Sequence, residues 1–518
     1  MMAFTLSDNG FVRYFVNILT TCLILFFFAG ISGAAENEIA DNPFSGISGG
    51  EILQINIKDA IFQALEQNPT VTIQRQEPAK YQTFASEERA DFDPEITASA
   101  DQNKTKLQRF LGAQPNPIRM TWDRSNYDIG ISETLPTGTI VSANMSMTGS
   151  ISSLYTDQFS GIVGVTVTQA LLRGFGIGAN LANLRKAKLD IEISEAELKA
   201  VAENLVADVE KAYWNLYLTA EEINIQKSSL ELADKQLQES LERVAVGRLP
   251  ELELAAVHAE VATRREALID AQSRYEQARL NFLFLLNPSG IDIWSSRPVP
   301  VDKPFIPTDT LDAIAVHEEL GMQFRADLIQ AQLNLKKGEL DIQQTKNGLL
   351  PRLDFFITYG KTTYAKTFKD AIPDLQSPFH EATAGFTFAM PVPNRGARAR
   401  VERARRTQQQ MEMAVINMER LVQLDVRSAY IEAVRSKELI VATRVTRELQ
   451  ERNMDAEQEK FRVGKSTNFL VLQAQRDFTA SQLDEARSMV SYLNALIDLY
   501  LMEGTMLSRR GIENLSGL

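Results

Sequence analysis

Two proline-free segments of 67 residues, 178–244 and 396–462, constrain the fold more than any other feature of the sequence. Both are rich in Ala, Leu, Glu, Lys, Arg and Gln, which are strong helix formers. A helix of that length would extend about 100 Å, several times the diameter of a small domain. Apolar residues recur at steps of three and four on two sides of the first segment. We therefore expect two very long helices, each packed on two flanks with one face in water.

The two segments belong to an internal duplication. "VEKAYWNLYLTAEEI" from Val209 aligns with "VRSAYIEAVRSKELI" from Val426 at an offset of 217 residues, and Gly247 aligns with Gly464 at the same offset. In each half the sequence pattern predicts the same series: a short helix, a medium helix, a strand that follows a proline, a second strand, a very long helix, a glycine turn and a long helix.

The boundaries of these units follow from the duplication. We expect a signal peptide, a first repeat, a second repeat and a C-terminal tail at residues 1–35, 36–306, 307–505 and 506–518. In the first repeat we expect strands within about 95–169, including an extra hairpin at 126–149, and long helices at 178–244 and 250–286. In the second we expect a helix at 325–348, strands at 353–364 and 382–390, and long helices at 396–462 and 467–503.

The N-terminus has the layout of a secretory signal. Arg13 precedes an apolar run, and small residues end at Ala35 before the acidic "ENE". A membrane anchor is the alternative, although the apolar run is short for a spanning helix. The only cysteine, Cys22, lies inside this run, so cleavage after Ala35 would leave a mature chain without thiol or disulfide chemistry.

The strand segments alternate in polarity with a period of two, as in Val163, Val165 and Val167. This alternation is typical of outer-membrane barrels and also of soluble two-faced sheets. The signal sequence and the long helices favour the barrel. One chain supplies too few strands to close a wide barrel, and an open sheet edge cannot lie in lipid, so closure requires several copies. The extra hairpin could extend the barrel wall or fold over its mouth, and the sequence leaves both open.

Several classes of function are disfavoured. The formal charge of −13, without a basic patch, argues against a nucleic-acid partner. His258, His317 and His380 are isolated from other metal-ligand residues, so we expect no metal site. No nucleophile and base are paired, and "RGFGIG" lacks the context of a nucleotide-binding loop, so we expect neither an enzyme nor a cofactor. The glycines instead indicate a strand-to-helix corner, formed by Gly174, Gly176 and Gly178 and by Gly396 in the second repeat.

The chain resembles the TolC-like outer membrane factors over roughly residues 52–505. The resemblance rests on "INIKDAIFQALEQNP", on "TQALLRGFG" at Thr168–Gly176, on the Val-Gly turns, and most specifically on "VGKSTNFLVLQAQRDFTASQLDEARSMVSYLNALIDLY" from Val463. It implies a mixed α and β membrane protein, in which a long α-helical barrel of antiparallel coiled-coil helices joins a transmembrane β-barrel shared by a homotrimer. The expected location is the outer membrane of a Gram-negative bacterium, in contact with its lipid and with a long periplasmic extension.

The resemblance also implies a passive exit duct of a tripartite efflux or type I secretion system. Its partners would be a periplasmic membrane fusion (adaptor) protein and an inner-membrane transporter of the RND, ABC or MFS type, and its cargo small molecules or polypeptides. The alternative is a periplasmic coiled-coil scaffold or adaptor without its own pore, which would share the long helices but not the amphipathic strands.

In this family the glycine turns lie at the periplasmic tip, which opens the channel. The turns are Val246-Gly247 and Val463-Gly464. Glycine adopts a positive φ at a helix C-terminus without strain, and Pro250 and Ser466 or Thr467 would begin the next helices. An ordinary helical hairpin would explain either turn taken alone.

The tip departs from the family pattern in its charge. Where the family often has Asp six residues after the tip glycine, this chain has Glu253 in the first repeat but Leu470 in the second, and Gln473 replaces another frequent acid. We predict a ring of three Leu470 side chains at the constriction; the alternative is that Leu470 packs between helices. Glu253 with Arg248 or Lys465 would make tip contacts that hold the closed state.

Overall fold

The fold is described from a computed structural model. The described residues are 52–512 except 111–115, 154–155, 289–293, 307–310 and 372–377. The predicted signal peptide, with Cys22, and the end of the predicted tail lie outside the described residues.

The two halves share the order strand, two helices, strand, strand, long helix and helix, and the first half adds a hairpin of two more strands. The first half comprises β1 (Ile52–Ile55), α1 (Ile57–Gln67), α2 (Pro69–Ala90), β2 (Glu95–Arg109), β3 (Ile118–Thr134), β4 (Thr139–Ser152), β5 (Gln158–Ala170), α3 (Ile177–Asn180), α4 (Ala182–Ala245) and α5 (Leu254–Leu286). The second half comprises β6 (Arg297–Pro300), α6 (Ile314–Phe324), α7 (Ala326–Asn347), β7 (Arg352–Ala365), α8 (Phe368–Ala371), β8 (His380–Ala389), α9 (Arg395–Arg462), α10 (Asn468–Met502) and α11 (Met506–Arg509).

The two long helices, α4 and α9, have 64 and 68 residues, so each extends about 100 Å. The first does not begin at 178 as expected, because Leu181 leaves the helical conformation at ψ 7° and separates α3 from α4. The helix expected from 250 begins at Leu254, after a 3₁₀ turn at Glu251–Glu253. In the part of the chain that the structure describes, no helix is both long and apolar enough to span a bilayer.

The helices of each half form two rods that lie side by side. The very long helix is one rod, and the two helices that pack against it make up the other. α4 packs against α2 and α5 of its own half, and α9 packs against α7 and α10. α4 also contacts α7 and α10, so it lies between the two halves. The buried Glu222 of α4 joins them through ion pairs with Arg274 of α5 at 3.2 Å and Arg487 of α10 at 2.8 Å. Each chain therefore supplies four helical rods.

Both ends of the described chain dock on the middle of α4, and at the N-terminal end the Tyr213 hydroxyl of α4 donates a hydrogen bond of 3.3 Å to the carbonyl of Ile55 in β1. The backbone N–H of Asp302 donates a hydrogen bond of 2.9 Å to the Tyr213 hydroxyl, which lies in the largest apolar core. Burial raises the pKa of Tyr213 to about 12. Near the C-terminus, Arg510 binds both carboxylate oxygens of the buried Glu210 at 2.5 and 2.6 Å. A parallel pair of strands, β1 and β6, lies beside this core.

The other strands form one antiparallel sheet in the order β2-β3-β4-β5-β7-β8. The expected extra hairpin is therefore β3 and β4, and it lies between β2 and β5. β2 and β8 are the two edges of the sheet.

The register gives the sheet two unlike faces. Residues on one face, which we call the apolar face, are paired across all six strands at one level: Ile96, Ala98 and Ala100; Tyr127, Ile129 and Ile131; Val141, Ala143 and Met145; Val163, Val165 and Val167; Phe355, Ile357 and Tyr359; Ala382, Ala384 and Phe386. The opposite, polar face carries at the same level Thr97, Ser99, Asp128, Ser132, Ser142, Asn144, Thr166, Thr168, Thr358, Thr383 and Thr387. Many apolar-face side chains are exposed, among them Ile129 at 61% and Phe386 at 67%.

The buried Glu203 of α4 makes stability depend on pH. It is 3% exposed, the nearest cation is Lys199 at 3.7 Å, and burial raises its pKa to about 7. Because the pKa of this acid is higher in the folded chain than the unfolded value of about 4.5, its protonated form contributes stability at low pH. That contribution is lost as the pH rises through about 7, and amounts at most to about 3 kcal/mol per chain.

We therefore expect Glu203→Gln to raise the melting temperature at pH 8 but change it little at pH 5, as measured by circular dichroism in detergent. Glu192→Gln, at an exposed position of α4, is the matched control. An equal shift at both pH values for Glu203→Gln would show that ionisation of this carboxyl does not set the pH dependence.

Candidate functional site: the helix tip and the strand-to-helix corner

The two glycine turns have the same conformation. Gly247 has φ +73° and Gly464 has φ +74°. In the first turn Arg248 N–H donates to Arg243 C=O at 2.8 Å and Gly247 N–H donates to Val244 C=O at 2.9 Å. The second turn repeats both bonds, at 2.7 and 3.0 Å. This is a Schellman C-cap, whose positive φ strains any residue with a Cβ.

A contact between α4 and α9 joins the two turns. The Arg243 guanidinium donates a hydrogen bond of 3.0 Å to the carbonyl of Phe461 and lies over the Phe461 ring, 4.1 Å from its centroid. Phe461 is 4% exposed. A cation over an aromatic face, combined with a hydrogen bond to the same residue, fixes both position and orientation. We call this contact the Arg243 latch.

A buried polar cluster continues this connection one turn away. Gln236 Nε2 donates to Asn468 Oδ1 at 2.6 Å, and Asn468 Nδ2 donates to Ser240 Oγ at 3.2 Å. All three side chains are at most 5% exposed. Since a buried polar group without a partner is costly, the cluster fixes the start of α10 against α4.

Side-chain hydrogen bonds to the Glu457 carboxylate stabilise the second turn. Lys460 Nζ donates to Glu457 at 2.5 Å and Ser466 Oγ donates to the same carboxylate at 2.7 Å. These hydrogen bonds, with Lys460 the larger cause, lower the pKa of Glu457. The expected hydroxyl cap on α10 is wrong, because Thr467 occupies the N-cap position without a side-chain cap bond.

The five residues predicted to gate the tip are all exposed: Arg248, Glu253, Lys465, Leu470 and Gln473. Leu470 is 44% exposed, so it is not packed between helices of its own chain. Within the described residues no ion pair joins Arg248, Glu253 or Lys465 to another side chain. Their role in contacts between copies therefore stays a prediction. The side chains that join the two repeats at the tip were not predicted, because their partners lie more than 200 residues away in sequence.

The predicted corner glycines lie where the sheet meets the helices. Gly174 and Gly176 have φ +86° and +96°, and Gly178 lies in α3, where an added Cβ would come 2.4 Å from Gln343. Gly396 lies in the first turn of α9, and the left-handed residue there is Asn394, at φ 57°.

Two asparagines that sequence reasoning missed hold the first corner. Asn347 Oδ1 accepts a hydrogen bond of 2.8 Å from the Gly174 N–H, and Asn180 Nδ2 donates to the carbonyls of Gly174 and Pro136 at 2.8 and 3.0 Å. Gly138, at φ +85°, approaches so closely that a Cβ there would lie 2.0 Å from the Gly174 oxygen. The turn of the β3–β4 hairpin is thus fixed against the corner.

The described residues contain no group of three or more His, Cys, Asp or Glu side chains that could hold a metal ion. The expectation that the protein needs no metal or cofactor stays a prediction.

Comparisons with known proteins agree on one family. Residues 60–287 and 322–505 match the family model described as outer membrane efflux protein. The chain is 24% identical over 330 residues to the pyoverdine export outer membrane protein OpmQ of Pseudomonas putida, a match that spans 60% of this chain and 64% of that protein. The chain therefore matches less than two thirds of the length of this curated relative.

Two solved structures show the same fold. The Campylobacter jejuni CmeC outer membrane channel is 16% identical, with a TM-score of 0.61 over 92% of this chain and 94% of that one. The open state of the Neisseria gonorrhoeae MtrE outer membrane channel is 18% identical, with a TM-score of 0.61 over 86% and 88%. As the resemblance predicted, the chain belongs to the outer membrane efflux protein family, the TolC-like channels of the outer membrane with a helical extension in the periplasm.

Proposed function

We propose that this protein is the passive exit duct of a tripartite efflux or type I secretion system and works as a homotrimer. A periplasmic adaptor would bind its helical part, and an inner-membrane transporter of the RND, ABC or MFS type would supply the energy. The cargo would be small molecules or polypeptides. One relative is named for pyoverdine export, which is a small-molecule cargo.

The observation that carries this proposal is the two-faced sheet. An apolar face at one level on all six strands, with a polar face behind it, suits a wall between lipid and water. A periplasmic scaffold without a pore would not need an exposed apolar sheet face, so the duct is the better account.

The sheet edges support assembly from several copies. Among the described residues β2 and β8 pair with one strand each, so each has an unpaired edge there. Unpaired backbone groups are too costly in lipid. In the proposed trimer β8 of one copy would pair with β2 of the next, which removes every edge.

The long helices also support assembly from several copies, because they differ in how much apolar surface they expose. Along α4, all of which is described, the only large apolar side chain that is exposed is Leu241, at 38%. α9 exposes many: Met413, Ile416, Leu421, Leu424, Ile431, Val434, Leu439, Val441, Val445 and Leu449. The helices of the first half that pack against α4 expose Ile73 and Phe84 of α2 and Ile269 of α5. A head-to-tail contact between these unlike flanks would close into a ring.

The direct test is planar-bilayer conductance of the detergent-purified mature protein, with its mass measured in the same preparation. We expect a trimer that produces discrete channel events. A detergent-independent monomer or dimer without conductance would contradict the duct and support the scaffold.

The Arg243 latch predicts a gating phenotype. Arg243→Ala removes a hydrogen bond and a cation–ring contact worth together roughly 1–3 kcal/mol, so we expect the open fraction in bilayers to rise about tenfold. Lys235→Ala, which removes an exposed cation from the same helix without touching Phe461, is the control and should leave gating unchanged. If the two variants behave alike, the latch does not hold the tip closed.

The proposed leucine ring has its own test. Leu470→Ser would replace three apolar side chains at the constriction by small polar ones, so single-channel conductance should rise, by roughly twofold or more. Leu252→Ser removes an 87% exposed leucine from the first repeat and should have no effect. Unchanged conductance in Leu470→Ser would exclude a Leu470 gate.

A further inference from the structure

The inserted hairpin changes the number of strands that one chain contributes. β2 and β7 each follow a proline, Pro94 or Pro351, and β5 and β8 each lead into a long helix, so they are equivalent in the two repeats. In the second repeat β7 pairs directly with β8. In the first, β3 and β4 separate β2 from β5, so the chain has six strands in its sheet in place of four.

The hairpin keeps the faces of the sheet in register. Ile96 pairs with Ile131, Ile131 with Ala143, and Ala143 with Val165, all on the apolar face. A one-residue slip would have moved every hairpin side chain to the opposite face. The apolar residues of the hairpin therefore lie at the same level of the sheet as those of the strands on either side of it.

The polar face is also continuous through the hairpin. Asn126 of β3 donates to Asp101 of β2 at 2.9 Å and accepts from Thr148 of β4 at 3.1 Å. Trp122 of β3 donates to Ser150 of β4 at 2.6 Å. The first of these hydrogen bonds ties the hairpin to β2 and the other two join its own strands, all on the polar face, as expected of wall strands that face water.

The position of the hairpin turn argues against a cover over the mouth. Its turn, at Leu135–Gly138, lies against the strand-to-helix corner through the Asn180 bond to Pro136 and the close approach of Gly138 to Gly174. This corner is the end of the sheet that joins the helices. The hairpin thus runs the full height of the sheet to its helix end and back.

We propose that the inserted hairpin is part of the transmembrane wall and that three copies close a barrel of eighteen strands, three times six. The inference rests on the proposed trimeric duct and deepens it, because it fixes the width of the exit. The surface that completes the barrel is the edge of β2, which meets β8 of a second copy of this chain.

The added strands match the barrel to the helical tube. With about 4.8 Å between strands and a tilt of about 40°, eighteen strands give a backbone diameter of about 36 Å, and twelve give about 24 Å. Four rods per chain give twelve rods in a trimer, which at about 9–10 Å spacing form a tube roughly 36 Å across. The membrane exit is then as wide as the tube, so the barrel does not limit the size of the cargo, and large cargo such as a polypeptide fits the whole conduit above the tip.

Single-cysteine labelling tests the wall directly, because the only native cysteine is Cys22 in the predicted signal peptide. In β4 the variants are Ala143→Cys on the apolar face and Ser142→Cys on the polar face. Their register partners in β5, Val165→Cys and Thr166→Cys, are matched controls in a strand that both repeats share. The probe is a charged, membrane-impermeant thiol reagent applied to protein in lipid nanodiscs.

We expect both apolar-face cysteines to react at least about tenfold more slowly than both polar-face cysteines, since lipid excludes a charged reagent. If β5 alternates but both β4 cysteines react rapidly, the hairpin is a cover and this inference is overturned while the duct stands. If neither strand alternates, the barrel itself fails, and the proposed function fails with it.

A deletion variant measures the width. Removal of residues 116–155 would bring β2 beside β5 with Ile96 opposite Val165 on the same face, since both strands keep their antiparallel directions. We expect the barrel diameter in electron cryomicroscopy images to fall by about one third relative to the full chain. An unchanged diameter would overturn the inference, and if this variant does not assemble, the labelling result alone decides.

Discussion

An open sheet edge cannot lie in lipid, and the rest of the structure follows from that constraint. In its described part the chain supplies a sheet whose apolar and polar faces suit a membrane wall, but whose edge strands, β2 and β8, each pair on one side alone. In the proposed duct, closure therefore comes from other copies. The helices also leave apolar surface uncovered: α9 exposes an apolar stripe, while α4 exposes a single large apolar residue. Sheet and helices both fit one sector of the proposed ring.

The position of α4 explains how one sector is rigid enough to act as a unit. It packs against helices of both repeats, and its buried Glu222 and Glu210 bind arginines from α5, α10 and the C-terminal segment. At one end of α4 the Arg243 latch connects it to α9. At the other end Asn180 and the corner glycines connect the helices to the sheet. In the proposed duct the tip would therefore open by loss of a few polar contacts, without unfolding of the rods.

Much of this architecture could be predicted from sequence because its signals are local. The absence of proline and the apolar steps predicted both long helices, and the requirement for a positive φ predicted Gly247 and Gly464 at their ends. The break at Leu181 was missed, because no residue of helix-breaking type marks it. The Arg243 latch and the Gln236–Asn468–Ser240 cluster were missed because each joins residues of different repeats. The hairpin was predicted, but its place in the sheet depends on contacts of Gly138 with the corner, which sequence periodicity does not encode.

The central claim, that neighbouring copies pair β8 with β2, is tested most directly by hydrogen–deuterium exchange of the assembled protein in nanodiscs. If the edges are paired, the backbone amides of β8 (His380–Ala389) exchange as slowly as those of the central strand β4 (Thr139–Ser152). If β8 exchanges much faster than β4 in the same sample, its edge is unpaired, and the chain does not form a barrel shared between copies.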